Sequence, residues 1–123
     1  MFRGEDDVLL EAPWRCAFVT SPTPNGKALR ENTPARLDEL GAVYDDRIGR
    51  ILSVAALHHH DAVVLGAWGC GAFGGSAEDV AARFDAALRG DFRGVFAEVV
   101  FAVLDTSPER RTIGPFARRF GGA

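Results

Sequence analysis

Apolar residues recur at helical spacing through the middle of the chain. Leu37, Leu40, Tyr44, Ile48, Ile51 and Ala55 lie three or four residues apart, which puts them on one face of a long amphipathic helix. Thr33-Pro34 marks its start, with Thr as N-cap and Pro at the first helical position. The helix is predicted to end near His58-His59-His60. A second helical period, Val80, Phe84 and Leu88, follows Ser76. Ser76 is an N-cap with Asp79 three residues on, a capping-box variant, and Gly90 closes the helix. Other stretches read as strands. Val63 to Gly66 is short and wholly apolar, the pattern of a buried, parallel strand. Val95 to Leu104 (VFAEVVFAVL) is the last strong strand, and Trp14 to Thr20 (WRCAFVT) is rich in β-formers. Val8-Leu9-Leu10 is a candidate short edge strand in an otherwise acidic, irregular segment 1–13. The two prolines and Asn-Gly turn of Ser21 to Gly26 forbid regular structure. From Thr106 onward Pro108 and Pro115 punctuate a tail with Arg110, Arg111, Arg118 and Arg119, and a short terminal helix is expected around Phe116 to Phe120.

The order β–long α–β–α–β predicts an α/β fold, with a mostly parallel or mixed sheet flanked by helices. Its 123 residues suit a single domain over 1–123, with 106–123 as a C-terminal tail. The composition, 47% hydrophobic and 25% charged, is that of a globular chain and excludes the disordered class. A net charge of −3 gives no basic excess for gripping nucleic acid. No apolar run is long enough to span a bilayer, and no signal-peptide pattern opens the chain, so neither a membrane nor an export role is expected. The two cysteines, Cys16 and Cys70, make no disulfide framework and read as reduced thiols of a cytoplasmic protein.

The candidate chemistry lies in Trp68-Gly69-Cys70-Gly71-Ala72-Phe73-Gly74-Gly75, between the strand Ala62-Val63-Val64-Leu65 and the helix capped by Ser76. A strand, a glycine loop and a helix N-terminus make an anion site, because free N–H groups converge there and the helix dipole adds partial positive charge. Glu78 and Asp79 stabilise the helix start but oppose a nearby anion. Gly69-x-Gly71-x-x-Gly74 also matches the dinucleotide fingerprint of a Rossmann-type protein, with Asp105 as a candidate ribose-binding acid. Against that reading, Asp105 lies thirty-one residues beyond Gly74, Phe73 is bulky for a pyrophosphate turn, and a strand and a long helix precede the loop.

Gly66-Ala-Trp68-Gly-Cys70-Gly-Ala-Phe73-Gly-Gly75 resembles the diphosphate-binding loop of the microbial-type poly(ADP-ribose) glycohydrolases, a family with a macrodomain fold. Thr20-Ser-Pro22-Thr-Pro24-Asn25 resembles that family's Thr-Ala-Pro-Ala-Pro-Asn segment, Arg47-Ile48-x-Arg50-Ile51-Leu52 its helix, and Phe101-Ala-Val-Leu-Asp105 its last strand. Phe2-Arg3-x-x-Asp6-Asp7 and Leu9-Leu10 resemble the acidic stretch before its fourth-strand region. The resemblance implies the C-terminal half of a macrodomain and an ADP-ribose site. In that site the backbone of Gly69, Cys70, Gly71, Ala72, Phe73 and Gly74 holds the diphosphate, Phe73 packs near the distal ribose, and Val103, Leu104 and Asp105 border the adenine. It implies no cofactor.

The family's glycine triplet and Gln-Glu-Glu signature, whose second glutamate is the general acid, do not occur in this sequence. Cleaving a glycosidic bond needs such a placed acid, and Glu98 is expected mid-strand, away from the loop. The chain is therefore expected to bind ADP-ribose or poly(ADP-ribose) without catalytic residues of its own. The alternative is a glycosidic hydrolase completed by a missing N-terminal half or a partner. Half a sheet leaves a strand edge and part of each face uncovered, so such a partner or self-association is expected. His58-His59-His60 point about 100° apart on a helix and share no face, so no metal site is expected. Cys70 reads as a small residue chosen for fit, Asp45-Asp46 and Arg47/Arg50 as solvated helix charges, and Trp14 and Trp68 as core or loop anchors.

Overall fold

The computed structural model describes residues 3–4 and 6–121. Its elements run α1 (Gly26–Asn32), a 3-10 helix (Pro34–Glu39), α2 (Leu40–Leu57), β1 (Ala62–Leu65), α3 (Ala77–Arg89), β2 (Glu98–Phe101) and α4 (Ile113–Phe120). β1 and β2 pair in parallel, with Ala62 opposite Glu98 and Leu65 opposite Phe101, and α3 is the crossover between them. This is the α/β class that the alternation predicts, with a parallel pair at its centre.

The helices fold for the reasons read in the sequence. α2 buries Tyr44, Ile48 and Ala55 as the spacing predicts, but Leu52 rather than the expected Ile51, which is half-buried; α3 buries Val80, Ala81 and Phe84, with the expected Leu88 half-buried. These meet Phe96 and Phe116 in one core. The inner face of the sheet, Val63, Leu65, Val99 and Phe101, packs onto it. Phe101 is an aromatic junction, with ring centroids 5.5 Å from Phe84, 5.2 Å from Phe116 and 4.2 Å from Phe120. Ser76 caps α3 by accepting from the Asp79 N–H at 3.3 Å, and the Gly90 N–H closes it onto the Ala86 carbonyl. α4 runs three residues further back than expected and buries Phe116 against the core. Arg118 and Arg119 are not simply solvated: both bind Glu78 at 2.8 Å and tie α4 to the start of α3. Arg83 joins α3 to α2 through Asp45 at 2.7 Å and the Gly41 carbonyl at 3.0 Å.

Several expectations are corrected. Trp14 to Thr20 forms no strand among the described residues, and Phe18 is 85% exposed. β-propensity describes fit to a pleated, half-buried surface, and here no neighbouring strand supplies one. Val8-Leu9-Leu10 contributes only an isolated antiparallel bridge between Leu9 and Arg3. Segment 21–26 is not wholly irregular, because Asn25 accepts from the Ala28 N–H at 2.9 Å and starts α1. Thr33 makes no side-chain cap, and the chain after Pro34 winds first as a 3-10 helix. The last strand is shorter than Val95–Leu104 because β1 offers only four residues to pair with; one further bond, Ala102 N–H to the Leu65 carbonyl at 2.8 Å, follows it. β1 is not buried on both faces: Val64 is 73% exposed, and Val100 beside it is also exposed.

Candidate functional site

β1 ends at Leu65, α3 begins at Ala77, and the glycine loop spans the interval. Its turns are fixed by its own backbone: Trp68 N–H to Gly66 carbonyl at 2.8 Å, Cys70 N–H to Ala67 carbonyl at 3.1 Å, Gly74 N–H to Gly71 carbonyl at 2.9 Å and Gly75 N–H to Gly69 carbonyl at 2.9 Å. Gly69 and Gly74 hold φ of +81° and +67°, a left-handed backbone that glycine adopts without a Cβ penalty. The segment before α2 wraps the loop from outside. Lys27 donates its backbone N–H to the Phe73 carbonyl at 3.0 Å. Arg30 reaches the Gly74 carbonyl at 2.8 Å, the Trp68 indole donates to Ser21 at 3.1 Å, and Arg47 donates to Pro22 at 2.6 Å. Trp68 is therefore a loop anchor, and Arg47 is a tether rather than a solvated charge.

With these bonds made, the N–H groups of Gly69, Gly71, Ala72 and Phe73 donate to no acceptor among the described residues. Three of them are consecutive, on exposed residues. Successive backbone N–H groups make an anion-binding concavity where they converge. The carboxylates at the helix start oppose an anion less than their sequence positions suggest. Arg119 and Arg118 hold the Glu78 carboxyl below the usual carboxylate range, and Asp79 pairs with Arg83 at 2.9 Å.

Beside the loop is a pocket of about 310 Å³. Ala67, Cys70 and Gly71 form one wall; Ala102, Val103, Leu104 and Thr112 form the other. The structure thus brings the loop together with Val103 and Leu104. Burial pushes the Cys70 thiol up to about 11, so the helix start does not activate it as a nucleophile. Ala72, Phe73 and Gly74 lie along the loop beyond the pocket walls, and Phe73 is 43% exposed.

Asp105 does not line this pocket. Its Oδ1 accepts from the Ser107 N–H at 2.9 Å and the Ser107 hydroxyl at 2.6 Å, and its Oδ2 from the N–H groups of Thr112 at 2.7 Å and Ile113 at 2.9 Å. These donors, Ser107 foremost, hold the carboxyl well below its usual range. Asp105 caps the start of α4 and fixes the second pocket wall; it has no oxygen left over for a ribose. Glu98 lies on the exposed outer face of β2. Arg30, Thr112 and the two hydroxyls of Thr23 and Tyr44 beneath the loop were not singled out in sequence. Thr23 stood inside the Thr20–Asn25 segment, and Tyr44 on the apolar face of the long helix, where the spacing marked it for packing only.

No family model matches the sequence, and a comparison with curated proteins gives no match. Solved structures do match. Poly(ADP-ribose) glycohydrolase from Deinococcus radiodurans in complex with ADP-ribose is 38% identical, with a TM-score of 0.93 over 98% of this chain and 49% of its own. Its apo form gives a TM-score of 0.90 at 38% identity, covering 98% of this chain and 49% of that one. The enzyme from Thermomonospora curvata is 46% identical, with a TM-score of 0.85 over 97% of this chain and 43% of its own. The chain therefore has the fold of bacterial poly(ADP-ribose) glycohydrolases and spans about half the length of the structures it matches.

Proposed function

We propose that this chain, alike in fold and sequence to about half of a bacterial poly(ADP-ribose) glycohydrolase, is an ADP-ribose-binding portion of such an enzyme. The Gly69–Gly75 loop takes the diphosphate on its free N–H groups. Phe73 flanks the distal ribose, and Val103 and Leu104 border the adenine. The observation that carries this reading is the run of N–H groups at Gly71, Ala72 and Phe73 with no acceptor among the described residues. A diphosphate needs several directed donors, and backbone N–H groups supply them without a lysine. Neighbours of the same fold crystallised with ADP-ribose support the choice of anion.

The reading is of recognition, not chemistry. No adjacent glutamates and no glycine triplet occur in the sequence. A second reading, hydrolysis of ADP-ribose glycosidic bonds once another polypeptide completes the domain, is favoured by the outer sheet face. Val64 and Val100 are exposed there, Val64 at 73%, where a strand-bearing partner would cover them. Release of ADP-ribose from the polymer on mixing with the other half of a neighbour enzyme would support it. The two thiols and the bacterial neighbours favour the cytosol of a bacterium as its location.

A thermal melt with and without ADP-ribose tests the binding. At a hundred times Kd the ligand adds about 2.7 kcal/mol of stability, a clear rise in Tm. Gly71→Val is the control. A Cβ there meets no heavy atom within 4 Å, so the variant folds, while its side chain occupies the diphosphate position. The expected result is a wild-type shift and none in the variant; equal shifts would overturn the loop assignment.

A further inference from the structure

Two buried hydroxyls, Thr23 Oγ1 and Tyr44 Oη, have no hydrogen-bond partner among the described residues. Both lie beneath the glycine loop. Tyr44 is 1% exposed, and its ring meets Trp68 edge-on, with centroids 5.7 Å apart and planes at 88°. Trp68 is itself pinned to Ser21, so the phenol is delivered to a fixed place.

That place is the closure of the loop. A Cβ built on Gly69 would overlap Thr23 Oγ1 and lie 2.8 Å from Tyr44 Oη. A Cβ built on Gly75 would lie 2.6 Å from Tyr44 Oη and 2.7 Å from the Gly69 carbonyl oxygen. The Tyr44 hydroxyl and the Gly69 carbonyl oxygen thus both press on the Gly75 Cα, where no methyl group fits. The Gly69 carbonyl is presently held by the Gly75 N–H. A carbonyl has two lone pairs and can accept a second bond. A buried hydroxyl without a partner carries a desolvation penalty, and glycine at both ends lets the adjoining peptides rotate with little steric resistance.

We propose that Tyr44 and Thr23 are positioning residues for the glycine loop: their hydroxyls receive the Gly69–Gly75 closure in the conformation that holds a diphosphate. This rests on the reading of the loop as an ADP-ribose site. Engaging an anion on Gly71–Phe73 draws the loop onto its donors. The same movement pairs hydroxyls that the free chain leaves unpaired, and the ligand-bound state alone gains those bonds.

The test compares Tyr44→Phe and Thr23→Val with the unaltered chain, measuring Tm of the free protein and Kd for ADP-ribose by calorimetry. The expected result is a free-state Tm equal to or above wild type, because an unpaired hydroxyl is removed, with Kd weakened about fivefold or more. An unchanged Kd in both variants would overturn the proposal. So would a lower free-state Tm with unchanged Kd, the signature of hydroxyls already paired through an ordered water. If Tyr44→Phe fails to fold, the hydroxyl is needed without ligand and the proposal fails for Tyr44; Thr23→Val then decides it for Thr23. Absence of binding by the unaltered chain would instead refute the ADP-ribose reading and take this inference with it.

Discussion

Cys70 shows how one position in the loop is decided by competing effects. A helix start lowers a thiol pKa, and burial raises it. Here burial prevails, and the thiol sits at about 11 against an ordinary value of 9.0. The thiolate is the reactive form, so alkylation of Cys70 by iodoacetamide should rise about tenfold per pH unit between pH 7 and 10. Bound ADP-ribose should slow it at every pH, because Cys70 lines the pocket. Mass spectrometry at Cys70 checks both; a rate that levels off below pH 9 would contradict the burial argument. At this scale the sequence was informative where backbone geometry demands a residue type. Gly69 and Gly74, both at positive φ, stand where a glycine-rich loop was expected. It misled where a side chain's partners are non-local or follow later in the chain. Asp105, which the family resemblance places at the adenine border with Val103 and Leu104, is absent from the pocket wall and has both oxygens taken by residues 107–113.

Between elements, Asp105 is the joint that folds the chain from β2 into α4, and its carboxylate must be charged to accept from all four donors. Its folded-state pKa is depressed, so its stabilisation is present above the unfolded value, about 3.9. It is lost as pH falls from there towards the folded value. The Tm of the unaltered chain should therefore hold from neutral pH to about 4 and fall below it. Asp105→Asn, whose amide nitrogen faces donors rather than accepting from them, should have a lower Tm at neutral pH and a shallower acid limb. Circular dichroism melts from pH 2.5 to 7 check this; parallel curves would contradict it. α2 and α3 were legible because their apolar periods largely coincide with burial, and the parallel β1–β2 pair from two apolar runs joined by a helix, although only one face of it is covered. α1 was not, because Asn25-Gly26 is equally a turn signal and an N-cap followed by glycine. Trp14–Thr20 was misread because propensity does not say whether a strand has a neighbour.

Over the whole molecule, the inner sheet face is covered and the outer face is not. The core gathers on one side, where α2, α3 and α4 meet the sheet, and Val64 and Val100 stand exposed on the other. This agrees with a chain that spans about half of the structures it matches. An uncovered face was expected from the resemblance to half of a macrodomain; its residues could be named only once register fixed which side chains face inward. The loop and the wall at Val103 and Thr112 both lie within the chain, so binding is tested on the chain itself. The decisive measurement is a two-dimensional 15N–1H NMR titration with ADP-ribose, with adenosine as the control lacking phosphate. ADP-ribose should shift the amide signals of Gly69, Gly71, Ala72 and Phe73 most strongly, and adenosine should leave them nearly unmoved. Saturating ADP-ribose that leaves those four amides unshifted, or adenosine that moves them equally, would contradict this reading of the loop.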